Sequence, residues 1–337
     1  SATGNVSLST TTGVLDVQGA VLASDGAGAG ATPTATLSTT GGNITVSKTV
    51  TSDGNLAATV STGAGDISTT TAGTLTSTEG NVALSTVSGN IALAADVTAS
   101  GNVSATVSAA SGGISTASTA DLLSNNGNIN LSAHTGNIAL GATVQANGNI
   151  SAAVTTGAGD ITTTSAAALT SSTGNISLST AAGNIALAAA VMANKNVDVA
   201  INGGTGAFSS TAAATITATG GAVSIKTTNG NIAVSGDVTS GEGDIVANAT
   251  TGGNITIASK LTADNAADNA DIALNTANGT LTLGVTTPAG NEGDLTASGQ
   301  GDVRLRATSI AQNTGSVITS NGLSARATGT AANSNIS

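Results

Sequence analysis

Apolar and polar residues alternate along most of the chain in short runs, as in Ile138-Ala-Leu140 and Ile129-Asn-Leu131. A period of two puts successive side chains on opposite faces of an extended strand. The apolar positions are Val, Ile or Leu, which suit a pleated, half-buried surface. Each run lasts roughly four to six residues and stops at Gly or Gly-Asn. Glycine admits positive φ at a sharp corner, and asparagine tolerates it. No apolar stripe of period 3.6 survives beyond a turn, so the pattern predicts no helix.

The runs repeat. The Gly of Gly-Asn-Ile/Val and its variants falls at 80, 89, 101 and 112, then at 127, 136, 148 and 159, then at 174 and 183, a shift of 47 each time. The columns of this repeat hold one residue type with few exceptions. Ile44, Ile91, Ile138, Ile185 and Ile232 form one column; Ile67, Ile114, Ile161, Phe208 and Ile255 form another; Asn43, Asn90, Asn137, Asn184 and Asn231 form a third. Further columns run through Val50, Val97, Val144, Val191 and Val238, and through Leu75, Leu122, Leu169 and Ile216. The register is clean over about 33–257, shortened over 1–32 and degenerate over 258–337.

Residues 127–173 hold six strand-like runs: Asn128–Ser132, Asn137–Gly141, Thr143–Ala146, Asn149–Thr155, Asp160–Thr164 and Ala167–Ser171. Six strands in 47 residues predict two coils of three strands, about 23.5 residues each. This is the pattern of an all-β parallel β-helix solenoid, in which a coil buries its apolar face by stacking on its neighbours. One such solenoid spans 1–337. The aliphatic columns are its core ladders, and the Asn column passes hydrogen bonds along the axis. The chain opens at Ser1-Ala-Thr-Gly-Asn-Val and closes at Asn333-Ser-Asn-Ile-Ser with no polar cap, which predicts a segment of a longer fibre or a subunit stacked end to end.

Composition fits this picture. One Phe, no Trp and no Tyr suit a coil interior too narrow for aromatics. The absence of Cys excludes disulfides, thiolate metal sites and cysteine nucleophiles. One histidine leaves little for a His-based relay or metal site. A net charge of −11 without basic runs argues against nucleic acid. No apolar run is long enough for a transmembrane helix.

Repeats such as Gly174-Asn-Ile-Ser-Leu178 and Gly183-Asn-Ile-Ala-Leu187, in a Cys-free chain rich in Ser, Thr, Ala and Asn, resemble filamentous-haemagglutinin-type exoproteins. Autotransporter passenger domains are similar. The resemblance covers nearly the whole chain. It implies a right-handed parallel β-helix on a Gram-negative cell surface, exported by two-partner secretion, that acts in adhesion, aggregation or biofilm. It also implies partners among host or bacterial surface glycans or proteins. The amino-terminal secretion domain of that family is not visible here.

Candidate chemistry is sparse. His134 sits in a turn whose column partners are Val87, Ala181 and Thr228, and reads as a solvated turn residue. Phe208 falls in an Ile column and reads as core; Met192 follows a core column and faces out. Gly63-Ala-Gly-Asp-Ile67, Gly157-Ala-Gly-Asp-Ile161 and Gly241-Glu-Gly-Asp-Ile245 resemble a calcium-binding nonapeptide. They occur at most once per 47 residues, so they read as corners and not as ion sites. Asp264, Asp268 and Asp271 read as a solvated loop. The sequons at Asn5, Asn43, Asn102, Asn149, Asn175 and Asn254 arise from the Gly-Asn corner, with glycan attachment as the alternative. Paired carboxylates could process polysaccharide on a β-helix, but aromatic platforms are missing and Arg304 and Arg306 look isolated. The chain thus reads as a non-enzymatic adhesive fibre without cofactor or metal. A filament subunit is the nearest alternative. Ice binding, suggested by Thr69-Thr-Thr71 and Thr162-Thr-Thr164 on one flank, is more remote, as is a polysaccharide enzyme.

Overall fold

The computed structural model describes residues 2–26, 32–109, 111–265, 270–284 and 293–329; Ser1, Asp268 and 333–337 lie outside the described residues. The regular elements among them are all β-strands, visited in a cycle of three. Val82–Thr86, Ile91–Leu93 and Val97–Ala99 make one turn; Val103–Val107, Ile114–Thr116 and Leu122–Ser124 make the next. Equivalent strands pair in parallel, Val82 with Val103, Ile91 with Ile114 and Val97 with Leu122. The result is a β-solenoid of three parallel sheets, here called I, II and III in the order the chain visits them. The six strands expected in 127–173 are present at Ile129–Ala133, Ile138–Leu140, Val144–Ala146, Ile150–Val154, Ile161–Thr163 and Leu169–Ser171.

The chain divides into two compact units, Ser1–Ser172 and Thr173–Ser337. Among the described residues, unit 1 has seven strands in sheet I, seven in sheet II and eight in sheet III. Unit 2 follows the same plan with seven, six and six.

The coils are not the equal 23.5-residue turns that the repeat suggests. Along sheet I the partners run Leu56, Val82, Val103, Ile129 and Ile150, so successive turns take 26, 21, 26 and 21 residues. The five extra residues sit entirely in the corners. Comparing Val82–Ile91–Val97–Val103 with Val103–Ile114–Leu122–Ile129, the three steps grow from 9, 6 and 6 residues to 11, 8 and 7. Strand lengths stay constant because the interior fixes them, whereas the corners face water and tolerate insertion.

Alternate coils therefore share their core positions. The two expected isoleucine columns are one physical file: Ile44, Ile67, Ile91, Ile114, Ile138 and Ile161 pair in succession in unit 1. In unit 2 Ile185, Phe208, Ile232 and Ile255 do the same. These side chains are at most 1% exposed. Each such buried Ile contributes roughly 1.5–3 kcal/mol relative to leaving it in water. Phe208 is accepted at 1% exposure between two isoleucines.

Two glycine positions explain the Gly-Asn corner, and there clearance and not a positive φ requires the glycine, since neither Gly89 nor Gly127 has one. A Cβ on Gly89 would sit on the Gly65 carbonyl of the turn below, because corner backbones stack as closely as the strands do. A Cβ on Gly127 would lie 2.6 Å from Asn102 Oδ1. The missing side chain of the glycine is the space that the asparagine of the preceding turn occupies.

Candidate functional site

The predicted asparagines stand at the corner between sheets I and II, but they do not touch one another, since 47 residues is two turns. Each serves the residue one turn on. Asn43 Oδ1 accepts from the Asp66 N–H at 2.9 Å, Asp66 Oδ1 from the Asn90 N–H at 2.6 Å, and Asn90 Oδ1 from the Gly113 N–H at 3.0 Å. Gly113 has no side chain to continue the line, which resumes when Asn137 Oδ1 accepts from Asp160 N–H at 2.8 Å. In unit 2 Asn184 Oδ1 accepts from Ala207 N–H at 2.9 Å and Asn231 Oδ1 from Asn254 N–H at 2.8 Å.

A more continuous ladder, which the 47-residue columns missed, runs along the corner between sheets III and I. Asn55, Asn81, Asn102, Asn128 and Asn149 succeed one another turn by turn, each Oδ1 accepting the next N–H at 2.7–2.9 Å. Its signal was the 26-and-21 alternation of the Gly-Asn pairs. Further along, carboxylates take the same role: Asp244 Oδ1 accepts from Asp271 N–H at 2.9 Å, and Asp271 Oδ1 from Asp302 N–H at 2.8 Å. Asp271 is therefore a ladder residue and not part of a solvated loop, while Asp264 is exposed. Asp66 and Asp244, from the calcium-like motifs, likewise hold backbone N–H groups. The sequon residues Asn5, Asn43, Asn102, Asn175 and Asn254 are ladder acceptors too.

His134 is half-buried at a corner, where its carbonyl accepts from the Thr156 hydroxyl at 2.9 Å. Met192 is 49% exposed on an outer face. The two threonine runs stand at equivalent places on sheet II, but strand alternation splits each of them: Thr69 and Thr163 point inward at 6% and 8% exposure. Thr69 Oγ1 accepts from the Ala94 N–H at 2.8 Å. A real threonine file lies elsewhere, on sheet III of unit 2, where Thr217, Thr239, Thr262, Thr296 and Thr319 pair in succession. It is one residue wide, since each three-residue strand of that sheet turns only its central side chain outward.

Asp53 has a lowered pKa. The Ser24 hydroxyl, then the Asp25 N–H at 3.0 Å and the Thr78 hydroxyl at 3.3 Å, hydrogen-bond the charged carboxylate, against a smaller opposing effect of desolvation.

The surface offers open troughs. One of about 450 Å³ follows the Asn43–Asp66–Asn90 ladder, and one of about 420 Å³ is lined by hydroxyls such as Ser9, Ser38 and Thr40. A third, of about 400 Å³, lies on sheet I of unit 2 beside Arg304, Arg306 and Arg326. The arginines are thus gathered on one face and not isolated, because strand pairing sets Arg306 directly against Arg326. Arg304 is pinned by Asp271 at 2.6 Å and Asp302 at 3.3 Å. Among the described residues no group of three His, Cys, Asp or Glu side chains is placed to hold a metal ion, and no helix is long and apolar enough to cross a membrane.

Comparison of the chain with family models, curated proteins and solved structures finds no match.

Proposed function

We propose that this chain is a structural and adhesive segment of a secreted bacterial surface fibre, displayed outside the cell and acting in adhesion, aggregation or biofilm. The observation that carries the reading is the division of labour across each strand. Inward positions are mostly aliphatic and buried, with Ser or Thr at some strand ends, while outward positions are a lawn of Ser, Thr, Ala and Asn that meets the solvent in open troughs. Such a surface suits extended, repeated contact better than conversion of a small substrate in an enclosed site. Resemblance of the Gly-Asn-Ile-x-Leu repeats to haemagglutinin-type exoproteins supports the same assignment.

The test is direct. Beads coated with the purified chain are expected to adhere to bacterial or host cells more than beads coated with an unrelated β-solenoid. Equal adhesion would sink the reading. Electron microscopy of the same material separates the rival: filaments built of many chains would make it a self-assembling subunit instead.

A further inference from the structure

The chain is acidic overall, yet all three of its arginines lie on one outward face. On sheet I of unit 2, pairing places Lys226, Asn248, Asn275, Arg306 and Arg326 in a single file across five successive strands. Arg304 stands in the adjacent file, opposite Ser324. With strands about 4.8 Å apart, the five-residue file extends over roughly 19 Å. Every one of its side chains can donate an N–H, and none is a carboxylate.

Two features of the file are unfavourable for an empty surface. Arg306 and Arg326 are directly opposed like charges, which destabilises a sheet. Neither makes an ion pair among the described residues, whereas Arg304 does. Asn275 donates through Nδ2 to Asn248 Oδ1 at 2.9 Å, but its own amide oxygen is buried and accepts no hydrogen bond. An unmet buried acceptor of this kind is rare in a sheet. Asn275 lines the same trough of about 400 Å³ as Arg304, Arg306, Ser324 and Arg326.

We propose that this face binds a carboxylated polysaccharide, a linear polyuronate laid along the file. A guanidinium fork matches a carboxylate in two parallel hydrogen bonds. Successive uronate rings bring one carboxylate each to a track of donors that runs through Lys226, Asn248, Asn275, Arg306 and Arg326. A simple inorganic anion covers one pair of donors at a time, whereas a linear polyuronate presents a carboxylate repeatedly along the roughly 19 Å of the file. The proposal deepens the adhesive reading and rests on it only for the reason the face is displayed.

The experiment is titration of the full chain with sodium polygalacturonate, using dextran as the neutral control. The wild type is expected to bind polygalacturonate, with affinity falling as salt rises, and not to bind dextran. The doubly substituted R306Q/R326Q chain, with an unchanged circular dichroism spectrum, is expected to lose at least tenfold. Lys226→Gln, at the far end of the file, is expected to lose about two- to fivefold, since a lone point charge is a weaker anion partner than the arginine pair. Unchanged binding by the double variant, or no binding by the wild type, overturns the proposal. Equal affinity for polyglutamate or oligodeoxythymidylate overturns the ligand class. Self-association of the wild type that the double variant abolishes would make the face a contact between copies instead. If the variant loses polygalacturonate but its beads adhere to cells as before, adhesion stands and this site is not its cause. If beads never adhere while polygalacturonate binding follows the arginines, the site stands and the adhesive reading falls.

Discussion

Sheet I looks the same from inside in both units and different from outside. In unit 1 the outward positions, from Ser7 and Ser9 to Ser151 and Ala153, are Ser, Thr, Ala or Asn without a single charge. In unit 2 the equivalent positions include Asp198, Lys226, Arg304, Arg306 and Arg326. Between the first strand of unit 1 and the last of unit 2, the inward positions of both are buried aliphatics, with a buried Thr such as Thr39, Thr86, Thr180 or Thr227 closing some strands. Stacking constrains the interior at every turn, because each residue must fit the two above and below it. The exterior faces water and is packed on one side only, so it is where one stretch of solenoid differs from another.

If interiors are equivalent, the same damage should cost the same in either unit. Gly89→Ala in unit 1 and Gly230→Ala in unit 2 each push a methyl into the carbonyl of the corner below. Both are expected to exceed the usual range of about 1–3 kcal/mol for overpacking, since backbone and not a movable side chain is in the way. Gly41→Ala, whose nearest neighbour would be 3.6 Å away, should stay within about 0.5 kcal/mol. Urea midpoints followed by circular dichroism decide it. A tolerated substitution in one unit only would break the equivalence.

Core volume gives a finer test. Phe208 sits in unit 2 where unit 1 has Ile161. Ile161→Phe is expected to cost about 1–3 kcal/mol, because its neighbours have packed around a smaller side chain. Phe208→Ala should cost about 3–5 kcal/mol. A neutral Ile161→Phe would show that the coil interior is roomier than the lack of aromatics implies.

The interior was also the part that could be read from the sequence. Alternation and the columns through Ile44, Ile67 and Val50 found every strand of 127–173, because stacked turns demand the same residue at the same height. The alternating turn lengths were not legible, since a 47-residue repeat reports only the sum of 21 and 26. That same averaging hid the Asn55–Asn149 ladder and split one isoleucine file into two. The arginine face was invisible for a different reason. Arg306 and Arg326 are 20 residues apart, whereas Asn275 and Arg306 are 31 apart, so irregular corners scattered a straight line through the sequence.

The corner ladders separate the units by a smaller margin. Asn102 Oδ1 accepts both the N–H and the Nδ2 of Asn128, at 2.8 and 3.2 Å. In unit 2, Asn196 Oδ1 accepts the N–H of Ala222, a residue with no side-chain group to pass the line onward. At about 0.5–1.5 kcal/mol net per hydrogen bond, Asn102→Ala is expected to cost roughly twice Asn196→Ala. Equal losses would mean that the second hydrogen bond, donated by Asn128 Nδ2, adds nothing measurable.

The smallest effect concerns how each unit holds a carboxylate. Unit 2 sets the Arg304 guanidinium against Asp271, while unit 1 surrounds Asp53 with the Ser24 hydroxyl, the Asp25 N–H and the Thr78 hydroxyl. Those donors favour the charged form and lower the pKa of Asp53 in the folded chain from the usual 3.8. A lowered carboxylate contributes stability above its unfolded pKa and loses it as pH falls through the folded value. Asp53→Asn should therefore melt slightly below the wild type at neutral pH, with the gap closing as pH falls below the usual 3.8 and the wild-type carboxylate protonates. Because Asp53 is solvated, the gap is expected to be only just measurable in thermal melts. A gap that stays constant down to the acid end would mean that the substitution removes a packing contact and not a charge-assisted hydrogen bond. Added salt should leave the Asp53 gap nearly unchanged, since neutral donors hold it, whereas the exposed Arg304–Asp271 pair of unit 2 should weaken under the same screening.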